Sequence, residues 1–428
     1  MPYSTAGILA MALACCLTAA GNAGDNVPLE IDAGIPVPAT DWPWWRGPQR
    51  NGVATPGKAV PLKWSETENI AWKSPLPGRG HGSPIVVGNQ VLLQTAEVGR
   101  QMQSVVCLDR GTGKSVWQTP VHEGNVAIKQ NEKSTYANST PACDGERIFV
   151  NFLNGGGIYT TALDRSGRRL WQVKVTDYVL HQGFSSSPAL YQSLVIVSAD
   201  NKGTGALAAL RRDTGERVWK RDRPALPNYT SPIILKVHGR DQLLFVGCDL
   251  VTSLDPLTGD TLWETAGATT ECVTSTVTDG DVIFTTGGYP KNHLAAIRAD
   301  GSGERAWENG SRVYVPSMVL QKGYLYAMLD AGIAQCWEAS TGKERWKARI
   351  GGTFSSSLVL ADGNVFATDE SGKTTIFKAD PEAFEKVGEN QLGKSVFATP
   401  AICDGRIYHR VISEEAGEAK EFLYCIGR

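Results

Sequence analysis

The stretch LDRGTGKSVW, residues 108–117, reads as strand, turn, strand, and the chain writes it five more times. The copies are LDRSGRRLW (163–171), LRRDTGERVW (210–219), LDPLTGDTLW (254–263), IRADGSGERAW (297–307) and WEASTGKERW (337–346). Each has a Thr-Gly or Ser-Gly turn followed by a tryptophan. Glycine supplies the positive φ of a tight turn, and the indole supplies a large apolar plate. The tryptophans are Trp117, Trp171, Trp219, Trp263, Trp307 and Trp346, in steps of 54, 48, 44, 44 and 39 residues. A strand-rich repeat of roughly 40–50 residues marks a propeller, one blade per repeat. No segment of useful length carries the 3.6-residue period of a helix.

A second hairpin precedes each turn. Examples are SPIVVGNQVLLQT (83–95), TPACDGERIFVNF (140–152) and STVTDGDVIFTTG (275–287), with DG, GN or KG at the bend. Eight such hairpins occur, the last at 399–411. Six second hairpins carry tryptophan, and a seventh at 374–387 is degenerate. The chain then stops at the lone strand EFLYCIGR, while PLKWSETENIAWKSPLPG (61–78) offers Trp72 as the missing outer tryptophan. The two ends therefore complete one blade. The expected fold is all-β: an eight-bladed β-propeller of four-stranded antiparallel blades, closed by pairing of the N- and C-terminal strands. Such closure removes the sheet edges that an open array would expose.

The chain divides into a signal peptide (1–23), an N-terminal extension (24–60) and the propeller (61–428). The apolar run Ile8–Ala20, ending in small residues, is too short to span a bilayer and reads as an export signal. Export implies a periplasmic or envelope location, with lipidation at Cys15 the less favoured route to an anchor. No transmembrane segment is expected in the mature chain, which should act as a monomer. Net charge is −2 over 428 residues and no long basic stretch occurs, so nucleic acid is excluded as a partner.

Of nine cysteines, two lie in the signal. The other seven show neither CxxC pairs nor metal-ligand spacing. Cys107, Cys336 and Cys425 fall where other repeats have Ala162, Ala209, Ser253 or Ala296, so they read as small buried side chains.

The unit A-x-L-D-x-x-T-G-x-x-x-W resembles the tryptophan-docking repeat of the PQQ-like, quinoprotein-type propellers, a group that includes BamB. DWPWWRGPQRNGV (41–53) resembles the lead-in of that superfamily, expected here as an arm over the side or bottom of the ring. The resemblance implies Trp72, Trp117, Trp171, Trp219, Trp263, Trp307 and Trp346 as docking residues. For the enzymes of the group it implies PQQ with calcium, a catalytic aspartate and often a vicinal disulfide. Here the adjacent pair Cys15–Cys16 lies in the signal, no CxxCH is present, and no acidic constellation is recognisable. No metal or cofactor is expected on this reading.

The loops leading into the blades supply His81, Tyr136, Asn138, Phe184, Ser185, Tyr229, Glu271, Tyr314, Phe354 and Phe397, an aromatic, hydroxyl-rich rim with one carboxylate. That rim suits stacking and hydrogen bonding to a ligand in the top-face funnel; lining a wet channel is the plainer alternative. Asp200, Asp249, Asp330 and Asp369 recur just past second strands and read as turn caps. His81, His122 and His181 lack a nucleophile in a recognisable setting, so no triad is expected. The insertion VHEGNVAIKQNEKSTYAN (121–138) is the longest link between blades and a candidate partner contact or solvated lid. The reading is a non-catalytic extracytoplasmic module that binds an envelope protein or peptide. A PQQ-dependent dehydrogenase with divergent ligands and a carbohydrate-binding module are the alternatives, and PQQ and calcium belong only to the first of these.

Overall fold

In the computed structural model, residues 1, 34–126, 131–415 and 417–427 are described. The expected signal peptide, Cys15 included, lies outside them apart from Met1. Among the described residues no helix is long and apolar enough to cross a membrane.

The described strands form eight four-stranded antiparallel sheets in a ring. In chain order, the first seven blades are β2–β5 (Ile85–Val87, Gln90–Glu97, Met102–Asp109, Ser115–Glu123), β6–β9 (Ala142–Cys143, Arg147–Asn154, Gly157–Asp164, Arg169–Asp177), β10–β13 (Ala189–Tyr191, Leu194–Ser198, Gly205–Arg211, Arg217–Arg223), β14–β17 (Ile233–Val237, Arg240–Gly247, Leu250–Leu254, Thr261–Ala266), β18–β21 (Val277–Thr278, Val282–Gly287, His293–Arg298, Arg305–Asn309), β22–β25 (Val319–Gln321, Tyr324–Leu329, Ile333–Glu338, Glu344–Arg349) and β26–β29 (Val359–Ala361, Asn364–Thr368, Lys373–Lys378, Lys386–Gln391). The eighth takes β30–β32 (Ala401–Cys403, Arg406–Glu415, Glu418–Ile426) from the C-terminus and β1 (Ile70–Pro75) from the N-terminus as its outer strand.

The register explains the repeat. Each outer-strand tryptophan stands opposite the small residue of the third strand: Trp117 opposite Cys107, Trp171 opposite Ala162, Trp219 opposite Ala209, Trp263 opposite Ser253. Immediately beside that pair every blade has an irregularity that skips one outer-strand residue, as between Cys107 and Leu108. The skipped Val116, Leu170 and Val218 are exposed, while the indole turns to the next blade. There it lies on the turn glycine, whose φ is positive: a Cβ on Gly259 (φ +76°) would come within 2.8 Å of Trp219. The glycine is thus required twice, for the bend and for the approach. Indole Nε1 of Trp72, Trp117, Trp171, Trp219, Trp307 and Trp346 donates to a backbone carbonyl of the following blade. Trp263 departs, donating to Gln242 Oε1 within its own blade at 2.8 Å.

The degenerate hairpin runs further than 374–387, to Gln391. Gly388 takes the tryptophan position opposite Ile376. The following blade is the one with the chain break, so it has no turn glycine to receive an indole. Trp64 from the N-terminal segment fills the place instead, buried and stacked on Phe366 with centroids 6.4 Å apart. The seven cysteines after residue 23 are buried and unbridged.

Candidate functional site: a blind axial funnel

The innermost strands converge on an axis, and two residues before each of them stands a hydroxyl residue. These hydroxyls form a belt. The N–H of Ser83 donates to Thr140 Oγ1, that of Thr140 to Ser187, and that of Ser187 to Ser231. On the other side, Ser275 donates to Ser317, Ser317 to Ser357, Ser357 to Thr399, and Thr399 back to Ser83, all at 2.9–3.1 Å. At the remaining step, Ser275 Oγ accepts from Trp45 Nε1 at 2.8 Å.

Trp45 belongs to the 41–53 arm, which crosses the ring on the face opposite the funnel, as an arm of the bottom. Trp42 pairs with Val86 in the first blade, and Val53 bridges to Leu360 in the seventh. Between them Arg46, fully buried, donates to the carbonyls of Leu358 (2.7 Å) and Met318 (2.5 Å), and Arg50 donates to those of Leu190 and Ile234. With the Trp45–Ser275 contact, these contacts of the arm tie six blades together, and Trp45 lines the floor of the axial chamber. The axis is a pocket closed below.

Above the belt lies a cavity of about 410 Å³, within the range of ligand pockets. Eight of the ten rim residues expected from the sequence line it: His81, Asn138, Phe184, Ser185, Tyr229, Glu271, Tyr314 and Phe397. Two do not. Phe354 is buried in the core between the sixth and seventh blades, and Tyr136 packs beside Phe152 at a small separate void. Position in a loop does not fix which way a side chain turns, and both rings gain more by burial than by facing the axis.

The sequence reading did not single out Gln182, Val273, Val315 or Ser355, which also line the cavity. The described part of the 121–138 insertion folds over its mouth. Lys133 Nζ reaches Glu370 at 2.8 Å, and Ser355 Oγ also donates to Glu370. Charged residues in the longest inter-blade link were the signal for the Lys133 contact; nothing pointed to Glu370.

Most polar groups of the funnel are already engaged. Asn138 is held by Ser134, Thr135 and the Phe184 carbonyl, and Ser185 Oγ donates to the Tyr229 carbonyl. His81 stacks on Phe397 at 4.2 Å. Burial, with Arg410 and Arg79 nearby, pushes its pKa down to about 3, so it is neutral at physiological pH. His181 Nδ1 is 3.1 Å from the Tyr229 hydroxyl and 3.5 Å from Glu271. Burial and the Glu271 charge hold the Tyr229 hydroxyl above its ordinary range and push Tyr314 up to about 12, so both stay protonated. His122 lies elsewhere, edge-on to Phe152 and Tyr159.

Of the four repeated aspartates, Asp369 caps its own turn, accepting from Ser371 and Lys373. The others depart from simple capping. Asp200 is buried against Arg223, Asp249 accepts from Thr270, and Asp330 accepts from Arg312 and the Val315 N–H. Among the described residues no three His, Cys, Asp or Glu side chains converge as a metal site. Calcium takes six to eight oxygen ligands, whereas the cavity lining offers the single carboxylate Glu271.

The family described as "Outer membrane protein assembly factor BamB" matches residues 53–176, 101–332 and 290–384, well over half of the chain. The chain belongs to this family of PQQ-like propeller repeats. No curated protein matches it by sequence. Among solved structures, this BamB-family propeller is similar to a europium-containing methanol dehydrogenase (TM-score 0.66, 14% identity, 91% of this chain and 98% of that one). It is similar to BamB from Moraxella catarrhalis (0.59, 14%, 83% and 99%) and to a quinohemoprotein alcohol dehydrogenase from Comamonas testosteroni (0.64, 14%, 91% and 81%). At these identities the likeness is one of fold, which enzymes and assembly factors share.

Proposed function

We propose that this propeller is an exported, non-catalytic module that binds a protein or peptide segment of the cell envelope in its axial funnel. The observation that carries the reading is the funnel's inventory. It is a cup of aromatic and aliphatic walls, closed below by Trp45, whose hydroxyls hold the ring together and whose lining has one carboxylate. Such a cup supports recognition of an inserted side chain, and its single carboxylate favours that reading over calcium-held quinone chemistry.

The test has two arms. Pure protein is incubated with PQQ and calcium and assayed with dye-linked alcohols; stoichiometric cofactor uptake with turnover overturns the proposal in favour of a dehydrogenase. In the native envelope, crosslinkers placed at Ser355 and Gln182 on the funnel rim should capture a protein partner. Binding on a glycan array without protein capture would make the module a lectin.

A further inference from the structure

Glu271 is the single carboxylate in the lining of the cavity. Its side chain is about nine-tenths buried, yet among the described residues no hydrogen-bond donor reaches its carboxylate. Its one charged contact is His181 Nδ1 at 3.5 Å. That nitrogen also lies 3.1 Å from the Tyr229 hydroxyl, and its 3.5 Å separation from Glu271 is long for a hydrogen bond. The nearby cations are committed elsewhere: Lys133 to Glu370, Arg312 to Asp330, Arg410 to Glu421. The carboxylate instead lines the open cavity, where an entering cation can complete it.

The surroundings specify the ligand. Tyr229, Tyr314 and Phe397 line the same cavity, and aromatic faces attract cations. A metal ion would favour further charged ligands, and among the described residues no three His, Cys, Asp or Glu side chains converge. The cavity is far too small for a folded domain but admits one long side chain. The geometry points to Glu271 as the recognition residue for an organic cation, the lysine or arginine side chain of a partner peptide, inserted along the axis between Tyr229 and Tyr314. This inference rests on the proposal that the funnel docks a peptide.

The test is calorimetric titration of the full protein with three capped amino acids: N-acetyl-lysine, N-acetyl-arginine and N-acetyl-norleucine methylamides. Binding of the lysine or arginine compound, with none of norleucine, is expected, and whichever binds tighter identifies the side chain. Glu271→Gln, nearly isosteric, should weaken that binding about tenfold or more. Tyr314→Leu, which removes the aromatic face, should also weaken it. Unchanged thermal unfolding of both variants excludes a folding defect. Equal binding of norleucine, or no loss in Glu271→Gln, overturns the inference. If envelope crosslinking captures the same partner with wild type and with Glu271→Gln, the docking reading stands and the cation inference falls. If PQQ supports turnover, the docking reading falls first.

Discussion

Trp72, in the first strand of the ring, stands directly opposite Cys425 in the last, in the register that sets Trp171 opposite Ala162 and Trp219 opposite Ala209. The closing blade is therefore an ordinary blade assembled from two chain ends. Its indole also crosses to the next blade, donating to the Arg110 carbonyl at 3.0 Å over Gly113.

The indole–glycine contact is the unit of cohesion between blades, so its two halves should fail differently. Trp219→Ala leaves a cavity beside Gly259 and should cost about 3–5 kcal/mol. Gly259→Ala, at φ +76° and facing the indole at 2.8 Å, should cost about 1–3 kcal/mol by overpacking. Denaturant midpoints at constant slope measure both.

Arg410 and Glu421 form a buried ion pair, 2.5 Å apart and each 2% exposed, that also holds the Gly80 N–H and the Gly82 and Gln94 carbonyls. Removing one partner strands the other. Arg410→Met should cost about 3–5 kcal/mol, whereas the double variant Arg410→Met with Glu421→Leu should recover much of that loss. A double-mutant cycle in chemical denaturation gives the coupling.

His409 is fully buried, both ring nitrogens lack a hydrogen-bond partner, and burial pushes its pKa from 6.5 down to about 4. The unfolded chain therefore binds the proton first. Its contribution is complete above about pH 6.5 and is lost as pH falls toward 4, by at most about 1.4 kcal/mol per pH unit. His409→Leu should flatten the acid limb of the stability profile and raise the unfolding midpoint more at pH 5 than at pH 8.

Arg46 binds the arm to the sixth and seventh blades through buried carbonyls. Arg46→Met leaves those carbonyls without their donor and should destabilise the protein by about 1–3 kcal/mol. It should also free the arm for cleavage: limited proteolysis followed by mass measurement should show cuts within 34–60 before the propeller is digested.

The repeat in the sequence was enough to determine eight blades, their strand count and the shared closing blade. The first six blades repeat the same local requirements, a positive-φ glycine, a small residue and an indole, so each of these copies testifies to the same register. It was enough also to nominate most of the funnel rim, because the loops before each inner strand must face the axis. Three things were decided only in the folded ring. Phe354 and Tyr136 turn away from the axis into the walls. Trp45 meets Ser275, and Lys133 meets Glu370, across the ring. Among the described residues no donor reaches the Glu271 carboxylate, while Lys133 and Arg312 pair with Glu370 and Asp330 instead. Local pattern fixes what a residue's own hairpin must do; which distant residues share the axis depends on the curvature that closes eight sheets into one circle, and no stretch of sequence contains that.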